Sequence, residues 1–317
     1  MILLYKIIRK IYFLKIRFKI SYFFYRYIFG GVIKKINGYK MYLNLKNDTG
    51  IARELFNYGK REHFSTDFFL SSNIIKKNDI VLDVGANIGY YALLESGLIG
   101  NYGQVYALEP VSQNIKNLKK NIKLNNIKNI KTFQLAAGNE NTKINIYIHE
   151  KGNQSSILKR EDKEYVGEEE ISMIKIDDFI VSKKITPSLV RMDVEGYEYA
   201  VLQGMQSYIQ KTSVSLLIEF HPHILTVDQK KIICDILKTS YDRAVVIKDL
   251  NSQYLTLNGT VRPLLKFFDK KIGQSSIISD QIIPDGVTEI DIETLCKYLM
   301  ESPCAFHVFI EGNKRFI

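Results

Sequence analysis

At four points the sequence closes a short apolar run with acidic, amide, imidazole or small residues, and each arrangement suits a particular chemistry. Val81-Leu82-Asp83-Val84-Gly85-Ala86-Asn87-Ile88-Gly89 reads as a strand entering a glycine turn and then a helix. There Gly85 would let the backbone approach a ligand, Gly89 would permit tight entry into the helix, and Asp83 and Asn87 would supply polar contacts. The spacing is GxxxG rather than GxGxxG, so a pyrophosphate cradle is incomplete and a nucleoside without pyrophosphate fits better. Twenty residues after Gly89, the run Val105-Tyr106-Ala107-Leu108 ends in Glu109, an acid able to accept hydrogen bonds from both ribose hydroxyls. A third strand end, Leu135-Ala136-Ala137-Gly138, leaves room at Ala136 for a flat adenine edge. Taken singly, these features are a tight turn that binds nothing, a solvated acid and a small-residue turn. Their order and spacing together favour a bound nucleoside.

The fourth point is the richest in acids. Asp193, Glu195 and Glu198 follow Leu189 to Met192, and Glu219, His221 and His223 close the run that starts at Val214. Positions 193 and 195 share one face if the strand continues, whereas Glu198 suits the first turn of a helix, where a carboxylate favours the dipole. A lone histidine would be an ordinary surface group. An acid and an imidazole two residues apart, facing two more acids across neighbouring strand ends, form a constellation suited to moving a proton or holding a cation.

On these residues the chain resembles a known family. Asp83 to Tyr91 (DVGANIGYY), Glu109, the stretch Ile174-Lys175-Ile176-Asp177-Asp178-Phe179 and above all Arg191-Met192-Asp193-Val194-Glu195-Gly196-Tyr197-Glu198 are similar to the FkbM methyltransferases, over about Tyr58 to Glu219. The resemblance implies a Rossmann-like class I methyltransferase fold, S-adenosylmethionine as donor, and an oxygen acceptor, often a sugar or polyketide hydroxyl. It also makes Gln154, Ser155 and Ser156 candidate contacts to donor or acceptor. A sulfonium donor is already activated, so the protein must align the acceptor oxygen with the methyl carbon and take its proton. A sugar hydroxyl is a weak acid. Asp193, Glu195, Glu219 and His221 offer two ways to assist it: a general base, either neutral His221 or Glu195, or a Mg²⁺ ion held by the same four groups. Both readings stand at this point.

The elements that must position these groups follow from the alternation of β-rich and helical runs. Ile80–Val84, Gln104–Leu108, Ile130–Leu135, Leu189–Met192, Val214–Phe220, Ala244–Ile247 and Phe306–Ile310 read as strands of a mostly parallel sheet with helices on both faces. Ile144–Ile148 and Glu170–Ile176, after the acidic stretch from Glu161, read as an inserted antiparallel pair. Val32–Asn37 and Lys40–Leu45 flank Gly38 as a hairpin ahead of the main domain. The chain thus divides into an arm and hairpin start, 1–47, and a methyltransferase domain, 48–317.

Charge separates the two parts. The formal net charge is +10, yet residues 1–47 hold eleven Lys and Arg and no acid, while the remainder holds 33 basic and 34 acidic groups. A nearly neutral domain offers no basic groove, so no nucleic acid is expected as partner. Within residues 1–29, Lys6, Arg9, Lys10, Lys15, Arg17, Lys19 and Arg26 interrupt Ile, Leu, Phe and Tyr so often that neither a span of ~20 residues nor a signal peptide fits. An amphipathic helical arm lying on an anionic membrane surface fits, its Lys and Arg stems snorkelling to head groups; packing on the domain or on a second subunit is the alternative. Three widely spaced cysteines without CxxC make a disulfide framework or zinc site improbable and suit a reducing cytosol. The expected setting is therefore cytoplasmic, peripheral at the inner membrane face, with a sugar or lipid-linked sugar as acceptor.

Rival functions are distinguishable by residues. An oxidoreductase would show a third glycine in its turn, a nucleic-acid methyltransferase an Asn or Asp before Pro-Pro or a nucleophilic Pro-Cys; here the only Pro-Cys, Pro303-Cys304, precedes the last strand. A non-enzymatic membrane scaffold would explain the arm and leave the clustered acids without cause.

Overall fold

The computed structural model describes residues 20–48, 50–149, 155, 157, 164–212, 214–248 and 286–312. Branched and aromatic runs punctuated by Gly, Asn and Asp turns become strands, and the runs between them become helices. A helix over residues 20–27, α1, leads into β1 (Val32–Ile36) and β2 (Tyr39–Leu43), which pair antiparallel across Asn37 and Gly38 as the expected hairpin. Next come α2 (Ile51–Tyr58), α3 (His63–Ser71), β3 (Ile80–Val84), α4 (Tyr90–Ile99), β4 (Gln104–Leu108), α5 (Ser112–Leu124) and β5 (Ile130–Phe133). A side sheet follows, formed by β6 (Ala136–Gly138), β7 (Thr142–His149) and β8 (Tyr165–Lys175). The chain continues with α6 (Ile176–Lys183), β9 (Leu189–Met192), α7 (Glu198–Gly204), α8 (Gln206–Thr212), β10 (Ser215–Phe220) and α9 (Val227–Ser240). It closes with β11 (Arg243–Lys248), β12 (Gly286–Asp291), α10 (Ile292–Glu301) and β13 (Phe306–Ile310).

The main sheet runs β12-β11-β13-β10-β9-β3-β4-β5. From β10 to β5 neighbouring strands are parallel, and β13, β11 and β12 extend the β10 edge antiparallel. The chain steps outward from β3 to β4 and β5, then returns to β9 on the other side of β3. This reversal brings the turns at the carboxyl ends of β3 and β9 together at the place where open α/β sheets bind ligands.

Two apolar layers cover the sheet. One joins Leu82, Val190, Ile218 and Val308 to α6–α10; the other joins Val81, Leu189, Leu217 and Phe309 to α2–α5 and the hairpin. Side chains alternate between the layers with the strand period of two. That alternation exposes an irregularity: on the second face β3, β9, β10 and β13 each carry one charged or imidazole group, Asp83, Arg191, Glu219 and His307, in register as Asp83↔Arg191 and Glu219↔His307. A polar band thus crosses the core just inside the strand ends.

The inserted antiparallel pair forms as expected, β7 against β8. Ala136, however, does not end a strand of the main sheet. β5 stops at Phe133, and Ala136–Gly138 pairs parallel with β8 in the side sheet. Edge strand β12, paired with β11, carries no run the sequence reading singled out. No helix among the described residues is long and apolar enough to cross a membrane.

Candidate active site

A cleft opens at the carboxyl ends of β3, β4 and β9, with Gly85, Asn87, Glu109, Ala136, Asp193 and Glu195 among its lining residues. On its β3 side the chain turns through Gly85 at φ 81° and Asn87 at φ 51°, and Glu109 at the end of β4 gathers the turn by accepting hydrogen bonds from Asn87 N (2.8 Å), Val111 N (2.9 Å) and Asn114 Nδ2 (3.1 Å). Burial nevertheless pushes the Glu109 carboxyl up to about 7, against those hydrogen bonds.

Asp83, Gly85 and Gly89 each hold the turn together. Asp83 is fully buried and accepts from Arg191 Nη1 at 2.9 Å, so its carboxylate serves the core ion pair and does not line the cleft. Gly85 lines the cleft, but a Cβ there would collide with the carbonyl oxygen of Asp193, so glycine is needed chiefly for the β3 and β9 turns to meet. Gly89, at φ 92°, sits where a Cβ would strike Leu118, and it lets α5 close on the start of α4 instead of touching a ligand.

The opposite wall carries the acids. Arg191 Nη2 donates to Asp193 Oδ2 at 3.2 Å, orienting that carboxylate at the cleft. β9 stops at Met192 and Glu195 turns at φ 51°, so positions 193 and 195 reach the cleft from a turn, not from a continuing strand face. Glu198, expected to favour the helix dipole, accepts the Gly196 N–H at 2.9 Å and grips His221 Nδ1 at 2.7 Å. His221 Nε2 then faces Glu195 Oε2 at 3.8 Å and Glu219 Oε1 at 3.9 Å. His223, two residues on, is exposed, its ring 6.1 Å from that of His221.

Electrostatics revise the expected protonation. Burial alone would lower the His221 imidazole, but the hydrogen bond and charge of Glu198, with Glu195 and Glu219, hold it well above its ordinary value. This shift favours the imidazolium over the neutral base expected for His221. Glu219 moves oppositely: burial and the like charge of Asp193 push it up to about 8.

Sequence reasoning gave no role to five groups in this cluster. His307 Nε2 on β13 lies 3.5 Å from Glu219 Oε2 and 3.2 Å from Glu62 Oε2, and Tyr91 donates to Glu62 at 2.7 Å. Arg61 pairs with Glu62, and Arg191 ties Asp83 to Asp193. Burial would raise Glu62, yet Arg61 and His307 hold it well below the usual carboxylate range. The available signal was one charged residue on the same face of several otherwise apolar strands. Two trios, Glu62–Glu219–His307 and Asp193–Glu219–His221, bring ligand-type atoms within 4.8 Å of one another. Of the candidate serine loop, Ser155 lines the cleft and its Oγ accepts from His149 N at 3.1 Å; Gln154 and Ser156 lie outside the described residues.

A family model described as a Methyltransferase FkbM domain matches residues 83–245. A crystal structure of methyltransferase FkbM from Methylobacillus flagellatus KT is similar with 20% identity and a TM-score of 0.41, covering 59% of this chain and 47% of that one. A putative rRNA-methylase from Clostridium thermocellum shares 12% identity at a TM-score of 0.40, covering 78% of this chain and 94% of that one. Aeropyrum pernix fibrillarin, solved with natively bound S-adenosyl-L-methionine, shares 13% identity at 0.34, with 67% and 72% covered. The match thus spans about half the length of the first of these structures. No curated protein matches the chain.

Proposed function

The chain belongs to the FkbM methyltransferase family, and we propose that it transfers a methyl group from S-adenosylmethionine to an oxygen acceptor, a sugar hydroxyl of a glycan or glycolipid. One observation carries this reading: a cleft at the sheet's reversal point, walled by Glu109 on one side, meets on the other, at Asp193, a cluster of carboxylates and an imidazole. Glu109 with the Asn87 turn and Ala136 would hold the donor, which supplies an activated methyl on a sulfonium. Asp193 and Glu195 line the same cleft and would orient the acceptor oxygen in line with that methyl.

The chain's own groups then manage the proton. As the O–CH₃ bond forms and the S–CH₃ bond breaks, the sulfur keeps the electron pair and the hydroxyl proton must leave. Glu219, with its affinity for a proton raised to about 8, is matched to a weakly acidic hydroxyl near neutral pH. Glu198 anchors His221, which presents its Nε2 to Glu195 and Glu219. The Asp193–Glu219–His221 trio favours a second reading, Mg²⁺ lowering the hydroxyl pKa. Activity abolished by chelation and restored by Mg²⁺ supports the ion; activity unchanged by chelation supports the base.

The acceptor is tested by mass spectrometry of glycolipids and nucleotide sugars from cells with and without the gene. A methyl group present only when the gene is present is the expected result. Unchanged glycans, with methyl label from donor appearing in RNA or protein, overturn the acceptor class.

A further inference from the structure

Helix α1 divides its side chains by helical period. Tyr22 and Tyr25 turn inward onto α2, their rings 5.7 and 5.9 Å from that of Phe56, and Arg53 lies over the Tyr22 ring at 5.7 Å. Ile20, Phe23, Phe24 and Tyr27, at the i, i+3, i+4 and i+7 positions, face away, and with Ile28 and Phe29 they are 48–66% exposed. The outward face is therefore a contiguous apolar patch on a helix already anchored to the domain by its other side. Such a patch marks an interaction surface.

Charge selects the occupant. The residues leading into the patch include Lys6, Arg9, Lys10, Lys15, Arg17 and Lys19, and no acid occurs before Asp48. Two such arms repel one another, so a second copy is disfavoured. An anionic polymer such as RNA would answer the charge and could stack bases on the rings, but it offers no apolar phase for Ile20 and Ile28. A bilayer with anionic head groups answers both, taking the rings and Ile20 at the acyl boundary and the ammonium and guanidinium groups at the surface.

We propose that the outward face of α1, together with the basic run preceding it, docks the protein on an anionic lipid surface. α1 rests on α2, and the chain leaving α2 leads to the buried Arg61–Glu62 pair, so the docking face is fixed to the domain that carries the site. The docking itself does not depend on the acceptor reading.

The full chain is sedimented with phosphatidylcholine vesicles containing graded phosphatidylglycerol. Binding should rise with anionic content and fall with salt without vanishing, because the apolar contribution is unscreened. Substituting Phe23, Phe24 and Tyr27 together by Ser should weaken binding by about tenfold or more, with melting temperature and donor affinity unchanged because these groups face outward. Replacing Lys6, Arg9, Lys10 and Lys15 by Gln should remove the dependence on phosphatidylglycerol. Full-length protein left in the supernatant at low salt, equal pelleting of the serine variant, patch-dependent self-association without vesicles, or tighter patch-dependent binding to RNA would each overturn the proposal.

Discussion

Glu219→Gln should lower kcat by about 100-fold or more while leaving donor affinity nearly unchanged, the loss typical of removing a positioned acid or base. Gln fills the same space between His307 and His221, so the fold should survive. The pH profile sharpens the test. A base acts only when deprotonated, and Glu219 is pushed up to about 8, so the wild-type rate should climb with pH below about 8 and level off above it. Because Glu219 shares its site with Asp193, His221 and His307, the observed inflection belongs to the cluster as a whole. In Glu219→Gln that limb should disappear. A variant retaining wild-type rate and profile moves the base to Glu195, which lines the cleft where Glu219 lies behind Asp193.

Arg191→Met should cost about 3–5 kcal/mol of stability, because it leaves Asp83 as a buried charge without its cation. Arg191 is wedged between Asp83 and Asp193, with its guanidinium 4.1 Å from the Tyr91 ring centre. Thermal or urea denaturation measures the loss. The double variant Arg191→Met with Asp83→Asn removes both charges and should recover part of it, which also serves if the single variant does not fold. A single variant as stable as wild type, or a double variant no better than an unstable single one, would show that the buried pair is not what holds β3 to β9.

Local pattern revealed the fold more completely than it revealed the site. Short apolar runs closed by turn residues located most strands of the main sheet within a residue or two, since burial on both faces writes itself directly into hydrophobic sequence. Ala136–Gly138 misled because three small residues after an apolar run look the same whether they end one strand or begin another; only pairing with β8 distinguishes them. Asp83 misled for a related reason. It stands one residue before a glycine turn, and strand alternation turns its carboxylate into the second apolar layer, where Arg191, distant in sequence, neutralises it.

The proton chemistry was the least legible. Glu195, Glu219, Asp193 and His221 do converge, as adjacent strand ends require, but the state of His221 depends on Glu198, whose backbone position suggested only a helix start. Glu62 and His307 reach Glu219 from opposite ends of the sequence, α3's entrance and the last strand. No local spacing encodes that meeting; it arises from β13 inserting between β10 and β11.

The central claim is that the cleft binds S-adenosylmethionine through Glu109. Calorimetric titration with S-adenosylhomocysteine, S-adenosylmethionine and NAD, on the wild type and on Glu109→Ala, measures it most directly. The account predicts binding of both adenosyl ligands in preference to NAD, and at least tenfold weaker binding, about 1.4 kcal/mol, in Glu109→Ala. NAD bound as tightly as S-adenosylmethionine, or adenosyl-ligand affinity unchanged in a folded Glu109→Ala, would contradict it.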